Sequence, residues 1–384
     1  MSYLAARYDW LPHHQLHVAA TLAHVDRTMD QVLTLIHTYS EQRPLTFAES
    51  MRDSRTEVRV KAVAPLPQAV PRLIADALTQ LRAAVEHTLY AETEFLLGRP
   101  LAPDEAKSIE MPAFVEVSQL DKWLQDRRRR KLPPLRAGTP LVDRIKRLQP
   151  FQRKDSADHP MRLLAEHTNL AKHRTPAVAA TRLGAVYPDD PRSDLTVALP
   201  LRLRPQPGEG LPLQPGDIVA SAPQGERIAF SVIPTVSLQR PHTQVWNIAA
   251  HELQLLEEWV RTTAIPILIT GTRDVPALPP QLDITVGHQD LRVELADAGR
   301  MPAAIRAANK MAADAARSGL AELLAPTPNS PDAKTIRAWA ASLDDEASVE
   351  HLQRLARVST DAAAASAAYS TLVAEARGYD PDAG

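Results

Sequence analysis

The sequence predicts an α-rich α+β fold: a helical bundle, a small antiparallel β segment and an Ala-rich helical C-terminal region. Three observations carry that reading. Two long stretches near the N-terminus place apolar residues at helical spacing, the middle of the chain alternates apolar and polar residues between Pro- and Gly-containing turns, and the chain turns Ala-rich from Pro302 onward. The expected division is 1–178 for the helical core, 179–300 for the β-containing segment and 301–384 for the Ala-rich region.

Residues 12–42 read as one helix from the recurrence of Leu16, Ala19, Ala20, Ala23, Val32, Leu35 and Ile36, with Pro44 marking its end. Residues 56–64 alternate, with Val58, Val60 and Ala62 opposite Glu57, Arg59 and Lys61, which predicts a half-buried strand. Residues 67–97 form the second long helix on a stripe of Ile74, Leu78, Leu81, Val85 and Leu89. Pro71 falls in its first turn, and Gly98 follows its end. Shorter helices are expected at 118–132, 139–148 and 159–174. Strand-like runs follow at 195–203, 218–221 and 227–238, then a helix at 245–263. A hairpin is expected to pair 283–286 with 291–295. The Ala-rich region reads as helices broken at Pro326 and Pro328 and capped at Asp344 and Asp345. Alanine favours helix but adds little core, so this region reads as an appendage or oligomerisation arm.

Composition excludes several chemistries. There is no Cys among the 384 residues, which removes disulfides, thiolate metal sites and a Cys nucleophile. Gly is scarce at 13 and neither GxGxxG nor GxxxxGK[ST] occurs, so no phosphate-cradling loop is expected. No GxSxG elbow is present. No apolar run approaches the roughly 18 to 20 residues that span a bilayer, and no secretory leader is read, so the chain is expected in the cytoplasm without a membrane partner. The net charge of −2 confines any nucleic-acid contact to a local patch.

Three groups of residues are candidates for chemistry. Arg82 and His87 lie in the second long helix. Five residues apart, they point about 140° away from each other on a straight helix, so they share a site only through distortion or a second chain. Arg82 and Glu86, at i and i+4, pair equally well as an ordinary surface ion pair. Asn169, Lys172 and His173 share a helical face and suit a phosphate or carboxylate. Alternatively, Lys172, His173 and Arg174 place cations at the negative end of the helix dipole. The run Arg127, Arg128, Arg129, Arg130 and Lys131 reads either as solvated surface or as a stripe that tracks nucleic-acid phosphates. His13, His17 and His24 repeat along one face without a carboxylate at ligand spacing, and neither metal nor cofactor is expected.

The segments LRAAVEH (81–87), EMP (110–112), QPF (149–151) and PMRLLAEHTNLAKHR (160–174) occur in the order seen in an uncharacterised bacterial helical family. That family carries LRSALDH-like and NxDKHR-like helices, which this chain resembles over about 67–175. Glu86, Met111, Phe151 and Ala171 stand where that family has Asp, Phe, Tyr and Asp. The R-x4-H spacing of Arg82 and His87 also resembles the HEPN (higher eukaryotes and prokaryotes nucleotide-binding) ribonucleases. That resemblance implies a homodimer or higher homo-oligomer that cleaves RNA without metal. His87 or His173 would then be the general base, with Arg82, Lys172 and Arg174 offsetting phosphoryl charge and Asn169 positioning the phosphate. The alternative is a non-enzymatic helical scaffold or partner-binding protein whose motifs are packing devices.

Overall fold

The computed structural model describes residues 8–173, 176–188, 196–197, 211–226, 228–358 and 361–379. Helices dominate, and two small antiparallel sheets complete an α+β fold. The chain forms two compact units, Met1–Ala304 and Ile305–Gly384.

The first unit is built around α2 (Ala69–Leu97), which packs against α1 (His17–Glu41), α6 (Pro160–His173), α7 (Ala249–Trp259) and α8 (Ile265–Thr270). The stripe Ile74, Leu78, Leu81, Val85 and Leu89 is its buried face, so hydrophobic spacing alone fixes how α2 is oriented. Gly98 ends it at a φ of 67°, a left-handed cap that glycine takes without steric penalty. On α1 the buried face runs through Val18, Leu22, Val25, Met29 and Val32, and a short 3-10 turn at His13–Gln15 precedes the helix.

The four-stranded sheet has the order β1 (Leu45–Arg52), β2 (Arg55–Val63), β5 (Ile218–Pro223) and β4 (Thr196–Val197). The β1–β2 hairpin turns at Asp53 and Ser54, whose φ values of 48° and 62° fit the twist that a two-residue hairpin requires. Pairing of β2 with β5 carries the 179–300 segment into the sheet begun near the N-terminus, so no division falls at 178. The second sheet has the order β3 (Ala179–Pro188), β6 (Phe230–Gln239) and β7 (Trp246–Ile248). Of the strand expected at 195–203, only Thr196 and Val197 are described; the rest lies outside the described residues.

Three further differences from the sequence reading have local causes. After α3 (Pro103–Ala106), the expected 118–132 helix stops at Leu124 (α4, Val117–Leu124), where Asp126 accepts the Arg128 N–H at 2.9 Å and folds a turn; 3-10 turns at Arg129–Lys131 and Pro133–Leu135 lead on to α5 (Pro140–Arg147). The expected 245–263 helix begins only at Ala249, after β7. It then passes through a π-turn at Val260–Ala264 into α8, where the wider turn accommodates Pro266, which has no N–H to donate. The expected hairpin at 283–295 is absent. Asp290 accepts the Arg292 N–H at 3.0 Å and caps a helix, α9 (Leu291–Asp297), which buries Leu295 and exposes Val293, while Asp283 folds its own turn by accepting the Thr285 N–H at 2.8 Å.

The Ala-rich region is more than an arm. Helices α10 (Ala303–Leu324), α11 (Ala333–Ser342), α12 (Asp345–Val358) and α13 (Ala362–Gly378) enclose a core of Leu320, Leu324, Ile336, Trp339, Leu355 and Leu372. Arg317 donates to the Leu343 carbonyl at 2.9 Å and to Asp345 at 2.5 Å, tying α10 to the start of α12. The sparse large residues are gathered on facing stripes, which is how an Ala-rich sequence still builds a core. Among the described residues no helix is long and apolar enough to cross a membrane.

Candidate functional site

Packing of α2 on α6 brings Arg82 to Asn169. The guanidinium donates from Nε to Glu86 at 2.8 Å, and from Nη1 to the Thr168 hydroxyl at 2.8 Å and Asn169 Oδ1 at 3.2 Å. Arg82 thus realises the i, i+4 ion pair and also bolts two helices together. His87 takes the opposite course. It is exposed, and its ring lies 6.4 Å from that of His17 on α1. Burial, with a smaller contribution from His87, holds His17 below the ordinary histidine value, although a backbone hydrogen bond works the other way. The 140° offset therefore sends Arg82 and His87 to different neighbours, and within one chain they do not meet. Lys172 is exposed on the last turns of α6, the His173 side chain is not described, and Arg174 lies outside the described residues.

Asn169 lines a cleft of about 620 Å³ between α6 and the β6–β7 turn, together with Glu166, Leu170, Gln239, Pro241 and Gln244. Behind the turn lies a buried ionic cluster. Arg240 grips Glu252 with two hydrogen bonds of 2.8 and 2.7 Å and also pairs with Asp158, while His167 stands 3.8 Å from Glu252. Burial pushes the Glu252 carboxyl up, but His167 and Arg240 outweigh it and leave it below the ordinary carboxylate value. The cluster joins α6, the end of β6 and α7, and its Arg240 ion pairs fit a structural part, while His167 Nε2 is buried without a hydrogen-bond partner. Asp158, His167, Arg240 and Glu252 are scattered over the sequence without motif spacing, so only the fold reveals them.

The basic run divides by burial. Arg127, Arg128, Arg130 and Lys131 are exposed, whereas Arg129 turns inward. Its guanidinium donates to the carbonyls of Ser108 at 2.8 Å and Trp123 at 3.1 Å, pairs with Glu110 at 3.2 Å, and lies 4.3 Å above the Trp123 ring. Burial lowers its pKa against the pull of Glu110 and Asp126. Arg129 is therefore the one member of the run removed from the phosphate-tracking stripe: a 3-10 turn aims it at the protein, where the indole and carbonyls satisfy it. The remaining cations belong to a longer basic segment. Residues 121–155 hold twelve Lys and Arg against four Asp and Glu, a net of +8 in a chain of net −2. Ten of the twelve are exposed, including Arg136, Lys146, Arg147, Arg153 and Lys154.

That segment ends at a second cleft, of about 310 Å³, which no motif or spacing predicted. Trp259, 7 % exposed, is among its lining residues, and the His159 ring meets the indole edge-on at 5.5 Å. Arg153, His251, Gln254 and Glu258 stand around it, and Thr262 and Thr263 enter from the π-turn. His159 caps α6: Nδ1 accepts the Met161 N–H at 3.1 Å. Burial, assisted by the Arg153 charge, holds the His159 pKa down at about 4, so the ring is neutral at pH 7. No protein family, no curated protein and no solved structure matches the chain.

Proposed function

We propose that this chain is a non-catalytic RNA-binding protein that holds the phosphate backbone on the exposed basic segment 121–155. The observation that carries this reading is the charge asymmetry: a net of +8 within that segment, almost all of it on exposed side chains, in a chain that is otherwise acidic. The engagement of Arg82 with Glu86, Thr168 and Asn169 of its own chain weighs against ribonuclease chemistry, because the cation that would offset phosphoryl charge is already tied to protein groups. Arg82 serves instead as a bolt between α2 and α6.

Fluorescence anisotropy with labelled single-stranded RNA across a KCl series tests the proposal. Affinity is expected to fall with salt, and the double variant Arg128→Glu, Arg130→Glu should bind at least about ten-fold more weakly, with a salt slope reduced by about 1.4 for two lost phosphate contacts. RNA incubated with excess protein in EDTA should stay intact. Unchanged affinity in the double variant would overturn the proposal. Cleavage that disappears in His87→Ala would restore the ribonuclease reading.

A further inference from the structure

The two sheets leave a slot between two open strand edges. β1 is the outer strand of the four-stranded sheet, and among the described residues only β2 pairs with it. β6 pairs with β3 along its length, but β7 covers its other side only at Ser237, Leu238 and Gln239, so residues 230–236 keep one open edge. A cleft of about 640 Å³ lies between these edges. Consecutive residues line it: Phe47, Ala48 and Glu49 from β1, and Phe230, Ser231 and Val232 from β6. Successive side chains of a strand point to opposite faces, so a cleft bordered by all of them runs along the strand edges and not over one face. Phe47 and Phe230, both half-buried, meet edge-on at 5.7 Å.

β1 is the better edge for pairing. Asp53 and Ser54 form a two-residue turn, so Arg52 and Arg55 exchange hydrogen bonds, and bonding to β2 then alternates along β1. The N–H and C=O of Phe47, Glu49 and Met51 consequently point to the open side. On β6, Pro234 has no N–H to give. The residue at the start of β1 is unusual as well. Arg43, just past the end of α1, has a φ of 51° and borders the cleft. α2 and α8 place Gly98 and Gly271 in that left-handed conformation, which glycine takes without steric penalty. At α1 the position holds an arginine instead.

We infer that the slot takes the C-terminal tail of a partner protein as an added strand, antiparallel to β1. In that direction the tail ends beside Arg43, which pairs with its terminal carboxylate. The tail residue opposite Phe47 is apolar and packs on the accessible parts of the two rings. The residue opposite Glu49 comes two positions earlier in the tail, about 7 Å along the strand, and is lysine or arginine. Charge complementarity at the two ends sets direction and register. A second copy of this chain does not suit the slot, because its own β1 is backed by β2 while β6 flanks the slot on the far side. The inference stands apart from the basic segment and its RNA.

Fluorescence anisotropy of the full chain with a labelled octapeptide tests it. The peptide ends in lysine, threonine, valine, threonine and leucine, with a free carboxylate. Its C-terminal amide is expected to bind about ten-fold more weakly. In Arg43→Gly that preference for the free carboxylate should vanish, while the thermal melt holds or rises, because glycine suits the left-handed position better. Glu49→Lys should favour a peptide with glutamate in place of the lysine. N-methylation of the valine, which removes the donor facing Phe47, should weaken binding about ten-fold, and more than N-methylation of the preceding threonine. Equal affinity for carboxylate and amide, an unchanged preference in Arg43→Gly, or no binding up to about 0.5 mM protein would overturn the inference. Arg128→Glu with Arg130→Glu should leave peptide affinity within about two-fold; a larger loss would move the peptide to the basic segment and overturn it as well.

Discussion

Removing the Arg82 guanidinium is expected to lower stability by about 2 kcal/mol, because Arg82→Ala deletes charge-assisted bonds that join α2 to Glu86, Thr168 and Asn169. His87→Ala, at an exposed position, is expected to change it by no more than about 0.5 kcal/mol. Urea unfolding of the two variants separates these roles; equal losses would mean that Arg82 is no bolt. The pairing of Arg82 with Glu86 was legible in their four-residue spacing. The contact with Asn169 was legible only through the shared site that the ribonuclease resemblance implied, since nothing in the sequence gives the packing angle of α2 on α6. Arg129 shows the reverse case. Five consecutive cations give no sign that the third is buried, because a 3-10 turn and the Trp123 ring decide which way it points.

At the scale of elements, the N-terminus of α6 carries a pH dependence. His159 accepts the Met161 N–H only while Nδ1 is unprotonated, and its pKa of about 4 lies well below the ordinary 6.5. Below pH 6.5 the unfolded chain therefore binds a proton at this residue that the folded chain refuses. Its contribution is intact above about pH 6.5 and is lost as the pH falls toward 4, up to about 3 kcal/mol at the bottom of that window. Unfolding midpoints at pH 7.5, 6 and 5 check this, and His159→Asn, which keeps a capping acceptor without titrating, should flatten the decline. A slope as steep in the variant as in the wild type would remove His159 as its source. The long apolar stripe of α2 made it readable to within two residues at each end, whereas α1 begins at His17, five residues after the expected start, because a 3-10 turn at His13–Gln15 precedes it. The β1–β2 hairpin was read as a single strand, because Asp53–Ser54 lacks the glycine that usually signals such a turn. In α9 the pattern Leu-Arg-Val-Glu-Leu fits both a strand and a helix, and the Asp290 cap settles it as a helix.

At the scale of the whole chain, the core gathered around Leu320, Ile336, Trp339 and Leu372 makes the C-terminal unit a candidate for independent folding. A fragment of residues 301–384 is expected to be helical by circular dichroism and to melt in one cooperative step, with Trp339, 5 % exposed, emitting as a shielded indole. A featureless, non-cooperative melt would show that the unit depends on the rest of the chain. The pairing of β2 with β5 bears on how the protein is made. Between Val63 and Ile218 lie 154 residues of chain, yet the two strands are neighbours in one sheet. At about 5–20 residues per second, a ribosome needs roughly 8–30 s to supply the second strand after finishing the first. During that interval the nascent hairpin shows an open row of backbone donors and acceptors, so synthesis on crowded polysomes is the stage at which this protein is most exposed to misassembly with a copy of itself.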